Sequence, residues 1–266
     1  MSPPINVAVH GAAGRMGQSI LRLLGDCDDL SVVAVMVRPG SSLDGIAVSV
    51  AQSALLHASS LDDDLHPQVL IDFSNAAAFD GALALAVKRR IAFISGTTGL
   101  DARQRDALDR AAAIIPVLWS ANFSLGVAVL ARLVAQAAKA LPGWDCEIAE
   151  SHHSGKKDAP SGTAIALGRE AAAARGQDFD RVAQLSGSGN DAPRMVGEIG
   201  FAVTRGGDIV GEHTVLFATR GERIELTHRA TDRDIFARGA IEATRWIAGR
   251  DVGRYTVSDV VAGSSA

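Results

Sequence analysis

Val7-Ala-Val-His-Gly11-Ala-Ala-Gly14-Arg15-Met16-Gly17 is the stretch that decides the fold. Its glycines stand at GxxGxxG spacing between a short apolar run, Ile5 to Val9, and a helical pattern from Met16 to Leu24. In that pattern Met16, Ile20, Leu21, Leu23 and Leu24 fall on one side. In a strand–loop–helix of this kind one glycine permits the tight turn, one lets the backbone approach a pyrophosphate, and one lets the helix pack closely on the sheet. The helix start then offers free N–H groups and the positive end of its dipole to phosphate. A dinucleotide-binding unit is the expectation.

Outward from this loop the pattern repeats. Leu30 to Val37, Val69 to Phe73, Ile91 to Ser95 and Ile114 to Trp119 are further apolar runs, of the kind buried on both faces of a parallel sheet. Between them lie an alanine-rich stretch, 76–88, and a helix that Asp101 caps and that runs to Ala113. Alternation on this scale predicts an α/β domain. The character changes after Asn122. Leu125 to Leu141 reads as a helix closed by Pro142-Gly143, and Asp145 to Glu150 alternates as a half-buried strand does. Pro160 to Arg175 reads as a helix with Pro160 in its first turn. Glu198 to Ala230 reads as antiparallel strands with glycine turns, making an α+β unit, and Ile235 to Ile247 as the last helix, packing back on the first domain. Ser186 to Pro193 is a polar loop that a ligand would order.

The chain has 266 residues, 47% hydrophobic and 21% charged, an ordinary folded mix rather than a disordered one. Thirty acidic against 26 basic residues give a formal charge of −4, which favours neither nucleic acid nor an anionic membrane as partner. No apolar run reaches the ~18 residues that span a bilayer. The N-terminus has neither a basic region nor an apolar core of signal-peptide type, and Cys27 and Cys146 lie outside any CxxC pattern, so a cytoplasmic setting with reduced thiols is expected.

The acidic residue that would hold the ribose hydroxyls about 20 residues after the glycines is missing. The second strand ends Met36-Val37-Arg38, and Arg38 could pair with a 2′-phosphate, as could Arg15. NADPH is therefore expected over NADH, with NADH still open.

Glu150-Ser-His152-His153-Ser-Gly-Lys156-Lys-Asp-Ala-Pro160-Ser161-Gly162-Thr163 is the richest stretch. Ser161, Gly162 and Thr163 at a helix start would offer N–H groups and hydroxyls to a carboxylate or phosphate. Two histidines and two lysines upstream add positive charge and a titratable acid. Together they describe a pocket for a small dianion beside a proton donor. Adjacent histidines on a strand point to opposite faces and no cysteine or carboxylate has ligand spacing, so no metal is expected. Ser161 lacks the GxSxG setting of a nucleophile.

Four segments then carry a resemblance: Gly11 to Gly17, Gly96-Thr97-Thr98-Gly99, Ser120-Ala121-Asn122-Phe123-Ser124 and the Glu150 to Thr163 stretch, followed by Ile199-Gly-Phe and Gly206 to Thr214. In that order, over nearly the whole length, the chain resembles the dihydrodipicolinate (4-hydroxy-tetrahydrodipicolinate) reductases of bacterial lysine and diaminopimelate biosynthesis. The resemblance implies a Rossmann domain over 1–123 and 235–266, with an α+β substrate and tetramerisation domain over 124–234. It implies that Gly11, Ala12, Ala13, Gly14, Arg15, Met16 and Gly17 hold the cofactor pyrophosphate. It implies that Gly96, Thr97 and Thr98 lie by the nicotinamide, and that Ser120, Ala121, Asn122 and Phe123 line the cofactor site at a hinge. It gives His152 and Lys156 catalytic roles, and carboxylate binding to His153, Lys156, Ser161, Gly162 and Thr163. It implies a homotetramer and a small dicarboxylate substrate.

The chain departs from the family at Val37, where many members carry an acid that binds the adenosine ribose. It also lacks the extra basic residues that some members carry between His153 and Lys156. The reaction so implied loses water to give a conjugated imine and then adds hydride to ring C4. A proton from His152 or Lys156 follows, with His152 favoured because an imidazole titrates near neutrality. Closure about hinges near 120–124 and 231–236 would bring cofactor and substrate together. The alternatives are another Rossmann-type amino-acid or diaminopimelate dehydrogenase, which would not explain His152 to Thr163, and a catalytically silent dinucleotide-binding regulator, which would show a degraded site.

Overall fold

A computed structural model describes residues 3–50, 53–185 and 194–263. The Ser186–Pro193 loop anticipated from sequence lies outside them. Contacts divide the chain into two compact units: Met1–Ser124 with Asp234–Ala266, and Leu125–Arg233. No described helix is long and apolar enough to cross a membrane.

The first unit runs β1 (Ile5–His10), α1 (Arg15–Leu24), β2 (Leu30–Met36), β3 (Ala47–Val50), β4 (Ser53–Ala58), β5 (Val69–Asp72), α2 (Ala76–Arg89), β6 (Ala92–Ser95), α3 (Ala102–Ala111) and β7 (Pro116–Trp119). It resumes after the second unit with α7 (Asp234–Ile247), β13 (Gly253–Tyr255) and α8 (Val257–Gly263). Its sheet has the order β13-β7-β6-β5-β1-β2-β4-β3, parallel except for the β3–β4 pair. The chain leaves β1 towards β2 and later returns to β5 on the other side. A crevice therefore opens beyond the carboxyl ends of β1, β2 and β5, where α/β sheets bind ligands.

β5 and β6 are buried throughout, which is why their sequences are continuous apolar runs. Ala8, Leu70 and Phe93 pack under Phe79 and Leu83 of α2 and Leu108 of α3. Asp101 caps α3 in a capping box with Gln104, as its position in the sequence suggests, although the helix ends at Ala111 rather than Ala113. Three features depart from the sequence reading. The β3–β4 hairpin was not foreseen, since Ala51-Gln52 between its strands carries no glycine, proline or asparagine. Ile114 and Ile115 finish the turn after α3 rather than opening the fifth strand, which begins at Pro116. And α7 is not the last element: β13 adds an edge strand beside β7, and α8 follows.

The second unit runs α4 (Leu125–Ala140), β8 (Asp145–His152), α5 (Gly162–Ala174), α6 (Phe179–Val182), β9 (Ala183–Gln184), β10 (Ile199–Arg205), β11 (Gly211–Thr219) and β12 (Glu222–Ala230). The sheet order is β12-β11-β8-β10-β9. The expected antiparallel unit is in fact mixed, because β10 runs parallel to both β8 and β9. The long connection through α5 returns the chain to the same end of the sheet, as a parallel crossover requires. Leu130 and Val134 of α4, with Leu167 and Ala171 of α5, cover one face over Cys146, Ile148, Val215 and Phe217. Pro160 does not open α5: Ser161 is its N-cap, with its hydroxyl accepting from Ala164 N–H, so Pro160 precedes the helix.

Candidate active site

In the first unit the glycine loop is built as its spacing requires. Gly11 has φ +78°, and a Cβ there would lie 2.7 Å from the Phe73 carbonyl oxygen. Gly17 sits so close to the loop that its Cβ would be 2.3 Å from the Gly11 carbonyl oxygen. Gly14 is the N-cap of α1, and no side chain caps that helix start. The crevice beside the loop contains a cavity of about 300 Å³ lined by Gly11, Ala13, Gly14, Val37 and Arg38 among others. A second, of about 480 Å³, shares His10, Val37, Arg38 and Ala78 with the first and extends to Ser59 and Lys88. Bare glycine backbone, an uncapped helix start and a cationic side chain fit a dinucleotide.

A buried polar cluster lies under this crevice. Asp72, fully buried, accepts hydrogen bonds from His10 Nδ1 (2.8 Å), Ser74 Oγ (2.6 Å), Ser95 Oγ (2.9 Å) and Thr97 Oγ1 (2.8 Å). Burial pushes the Asp72 carboxyl up, but the hydrogen bonds from His10, Ser74 and Thr97 outweigh it and hold it below the usual range. Ser95 and Thr97 flank Gly96, where a Cβ would strike the Phe73 ring at 2.1 Å. That ring packs at 5.1 Å on Phe123. Ser120 and Asn122 form a local turn, with Ser120 Oγ donating to the Asn122 carbonyl at 2.6 Å. So Gly11–Gly17, Arg38, Gly96–Thr98 and Ser120–Phe123 all follow the carboxyl ends of β1, β2, β6 and β7.

In the second unit the centre is Glu150. Its side chain is fully buried and takes four hydrogen bonds. His152 Nδ1 donates to Oε2 (2.5 Å) and Ser161 N–H to Oε1 (2.9 Å). The Arg205 guanidinium clasps both oxygens at 2.8 Å. Burial raises the Glu150 carboxyl, yet Arg205, His152 and the Ser161 N–H together draw it below its ordinary value. For His152, 8% exposed, burial lowers the pKa against the raising influence of Glu150. Its Nδ1 is engaged, so Nε2 is the nitrogen left for chemistry. A Cβ at Gly211 would stand 3.0 Å from that nitrogen, so glycine keeps space there. His213 packs edge-on to His152 with ring centroids 5.2 Å apart, and its Nε2 lies 3.1 Å from Ser161 Oγ. Lys156 Nζ pairs with Asp158 at 2.9 Å in the loop before α5. His153 and Thr163 are half-buried, and Gly162 is exposed.

Two family models match, one described as "Dihydrodipicolinate reductase, N-terminus" over residues 5–123 and one as "Dihydrodipicolinate reductase, C-terminus" over residues 126–261. The chain belongs to the dihydrodipicolinate reductase family. A protein named 4-hydroxy-tetrahydrodipicolinate reductase from Stenotrophomonas maltophilia (strain R551-3) is 48% identical over 262 residues, 97% of this chain and 98% of the relative. One of the same name from Xanthomonas campestris pv. campestris (strain B100) is 48% identical over 261 residues, with the same coverage. A solved dipicolinate-bound dihydrodipicolinate reductase from Paenisporosarcina sp. TG-14 superposes with a TM-score of 0.77 over 96% of this chain and 99% of that one. At 21% identity that likeness speaks to the fold.

For a dihydrodipicolinate reductase, reading the sequence missed the supporting groups: His10, Asp72 and Ser95 in one unit, and Glu150 as a partner, Arg205 and His213 in the other. One signal was available. Glu150 and His152 are two apart on a strand, so they share a face.

The buried histidines make the family fold of this chain acid-sensitive. Burial, with the His152 charge next, lowers His213 to about 4. Unfolded histidine takes up its proton as pH falls through about 6.5, so between there and about 4 the unfolded state holds more protons and stability falls. His152 and His228 shift in the same direction. The full His213 contribution is about 3 kcal/mol, lost at the acid end of this window. Urea midpoints should drop from pH 7 to pH 4.5, and the drop should shrink in His213→Gln. A wild-type midpoint that stays level across the window would contradict this.

Proposed function

We propose that this chain reduces 4-hydroxy-tetrahydrodipicolinate to tetrahydrodipicolinate, in the diaminopimelate route to lysine. The observation that carries the reading is Glu150. One buried carboxylate fixes both a histidine and the N–H of the residue that caps α5, so a proton donor and a dianion-binding helix start are held to one another.

The proposed roles follow the residues. Ser161, Gly162 and Thr163 hold one substrate carboxylate at the start of α5, with His153 and Lys156 beside them. Loss of the 4-hydroxyl as water leaves a conjugated imine in the substrate ring, and a reduced nicotinamide bound by Gly96, Thr97 and Thr98 would supply the hydride for ring C4. His152, its Nδ1 on Glu150, gives a proton from Nε2 to the enamine that results. Lys156 places positive charge against the negative charge that develops. Gly11 to Gly17 cradle the pyrophosphate, and Ser120 to Phe123 complete the cofactor wall.

NADPH is the preferred cofactor in this reading. Arg38 lines both cavities, and Val37 offers no carboxylate to ribose hydroxyls or to repel a phosphate. A homotetramer is the proposed assembly, supported by the sheet face of the second unit that α4 and α5 leave open, where Ala149, Ala202, Thr214 and Leu216 are exposed or half-buried. The test is oxidation of NADPH and of NADH with substrate generated in situ from pyruvate and aspartate semialdehyde by the synthase. Substrate-dependent oxidation, with the larger kcat/KM for NADPH, is expected. Tight NADPH binding without turnover would favour the silent regulator.

A further inference from the structure

His10 is the last residue of β1, 7% exposed, and it lines both cavities beside the glycine loop. Its Nδ1 donates to Asp72, which three hydroxyl groups also hold in place. With Nδ1 committed, the ring has one orientation and one free nitrogen. That nitrogen, Nε2, has no hydrogen-bond partner among the described residues, although the ring is more than nine-tenths buried. Between a pyrophosphate on Gly11–Gly17 and Arg38 at the end of the second strand lies the place of the adenosine ribose. There Val37 stands where an acid would read the ribose hydroxyls.

We infer that His10 reads the 2′ position of the bound adenosine: neutral, its Nε2 accepts from a 2′-hydroxyl, and protonated, its Nε2–H donates to a 2′-phosphate. The inference rests on the dinucleotide reading of the loop. Its chemistry is that of imidazole, which changes Nε2 from acceptor to donor by taking one proton while Nδ1–H stays on Asp72. The charged groups around the ring are Asp72 at the end of β5, Arg38 after β2, Lys88 and Arg89 of α2, and Asp63, which pairs with Arg89. A bound 2′-phosphate adds negative charge and tips the balance to the donor form. The discrimination against NADH that Arg38 supplies by charge is then made pH-dependent by His10, growing as pH falls.

Calorimetric titration of the whole chain with 5′-AMP and with 2′,5′-ADP at pH 6 and pH 8 tests this without turnover. Each pH is compared between wild type and His10→Ala, because the 2′-phosphate itself gains a proton near pH 6. The variant is expected to lose about tenfold in 2′,5′-ADP affinity at pH 6, the worth of one charge-assisted hydrogen bond, and only a few-fold in 5′-AMP affinity at pH 8. Equal losses for both fragments at both pH values, or no loss, would overturn the inference. Should His10→Ala fail to fold, the wild-type ring nitrogen shifts carry the test. Addition of 2′,5′-ADP should move His10 Nε2 to its protonated shift at a pH where the free protein shows it neutral, and an unmoved ring would overturn the inference. Wild type that binds neither fragment would overturn the dinucleotide reading itself. Wild type and variant that bind both alike would overturn this inference alone.

Discussion

Replacing Lys156 by alanine is expected to lower kcat by about 10³-fold while leaving NADPH affinity within a few-fold of wild type. Lys156 lies in the loop between β8 and α5, where its ammonium pairs with a half-exposed partner, Asp158. An exposed pair of that kind holds little stability, about 0–1 kcal/mol, so the variant should fold. What it removes is a positive charge near enough to His152 to act on its imidazole. Such a charge is worth more to a transition state that gains negative charge than to the resting protein. Steady-state kinetics with separately measured NADPH binding distinguishes the cases. A tenfold loss of NADPH affinity with turnover intact would place Lys156 in the cofactor site and remove it from the chemistry.

Glu150→Gln should be nearly as damaging, by a different route. The amide keeps the shape but has one acceptor oxygen where the carboxylate has two. It cannot take His152 Nδ1–H, Ser161 N–H and both arms of Arg205 together. His152 then loses its fixed tautomer, and the half-buried Arg205 guanidinium loses its counterion but keeps the Thr204 and Asp158 carbonyls. A loss of about 10²-fold in kcat is expected for the first effect. A stability loss of about 2 kcal/mol is expected for the second, since a charge-assisted hydrogen-bonded pair is lost while the half-buried guanidinium keeps its carbonyl partners. The variant separates positioning from bulk structure through its pH profile. Wild-type turnover should fall as pH rises above the His152 pKa, which burial holds below its ordinary value, and this limb should move in Glu150→Gln. A variant with lowered stability but an unmoved pH limb would make Glu150 purely structural.

Much of the frame was legible because it rests on local signals. The glycine spacing marks β1, the loop and α1, and the apolar runs mark β2, β5 and β6, since strands buried on both faces cannot carry polar alternation. Asp101 announces α3 through a cap that spans four residues. What stayed hidden depends on long-range pairing. Arg205 reaches Glu150 across 55 residues only because β10 lies parallel to β8 with Arg205 opposite His152. Nothing in either segment specifies a parallel register, and the glycine turns after Glu198 suggested hairpins. Asp72 reads as a residue inside the apolar run Val69 to Phe73 until four donors from three segments converge on it. Strand β13 is three residues long, too short for any periodicity to show.

The central claim is that hydride passes from a reduced nicotinamide to a ring carbon of the dicarboxylate. The direct measurement uses NADPH carrying deuterium at both nicotinamide C4 positions, with the substrate generated in situ and the product weighed by mass spectrometry. Tetrahydrodipicolinate one mass unit heavier, with the label on ring C4 and one product molecule per NADPH consumed, is the expected result. NADPH consumed without label in the product, or no consumption by folded protein that binds both molecules, would contradict it.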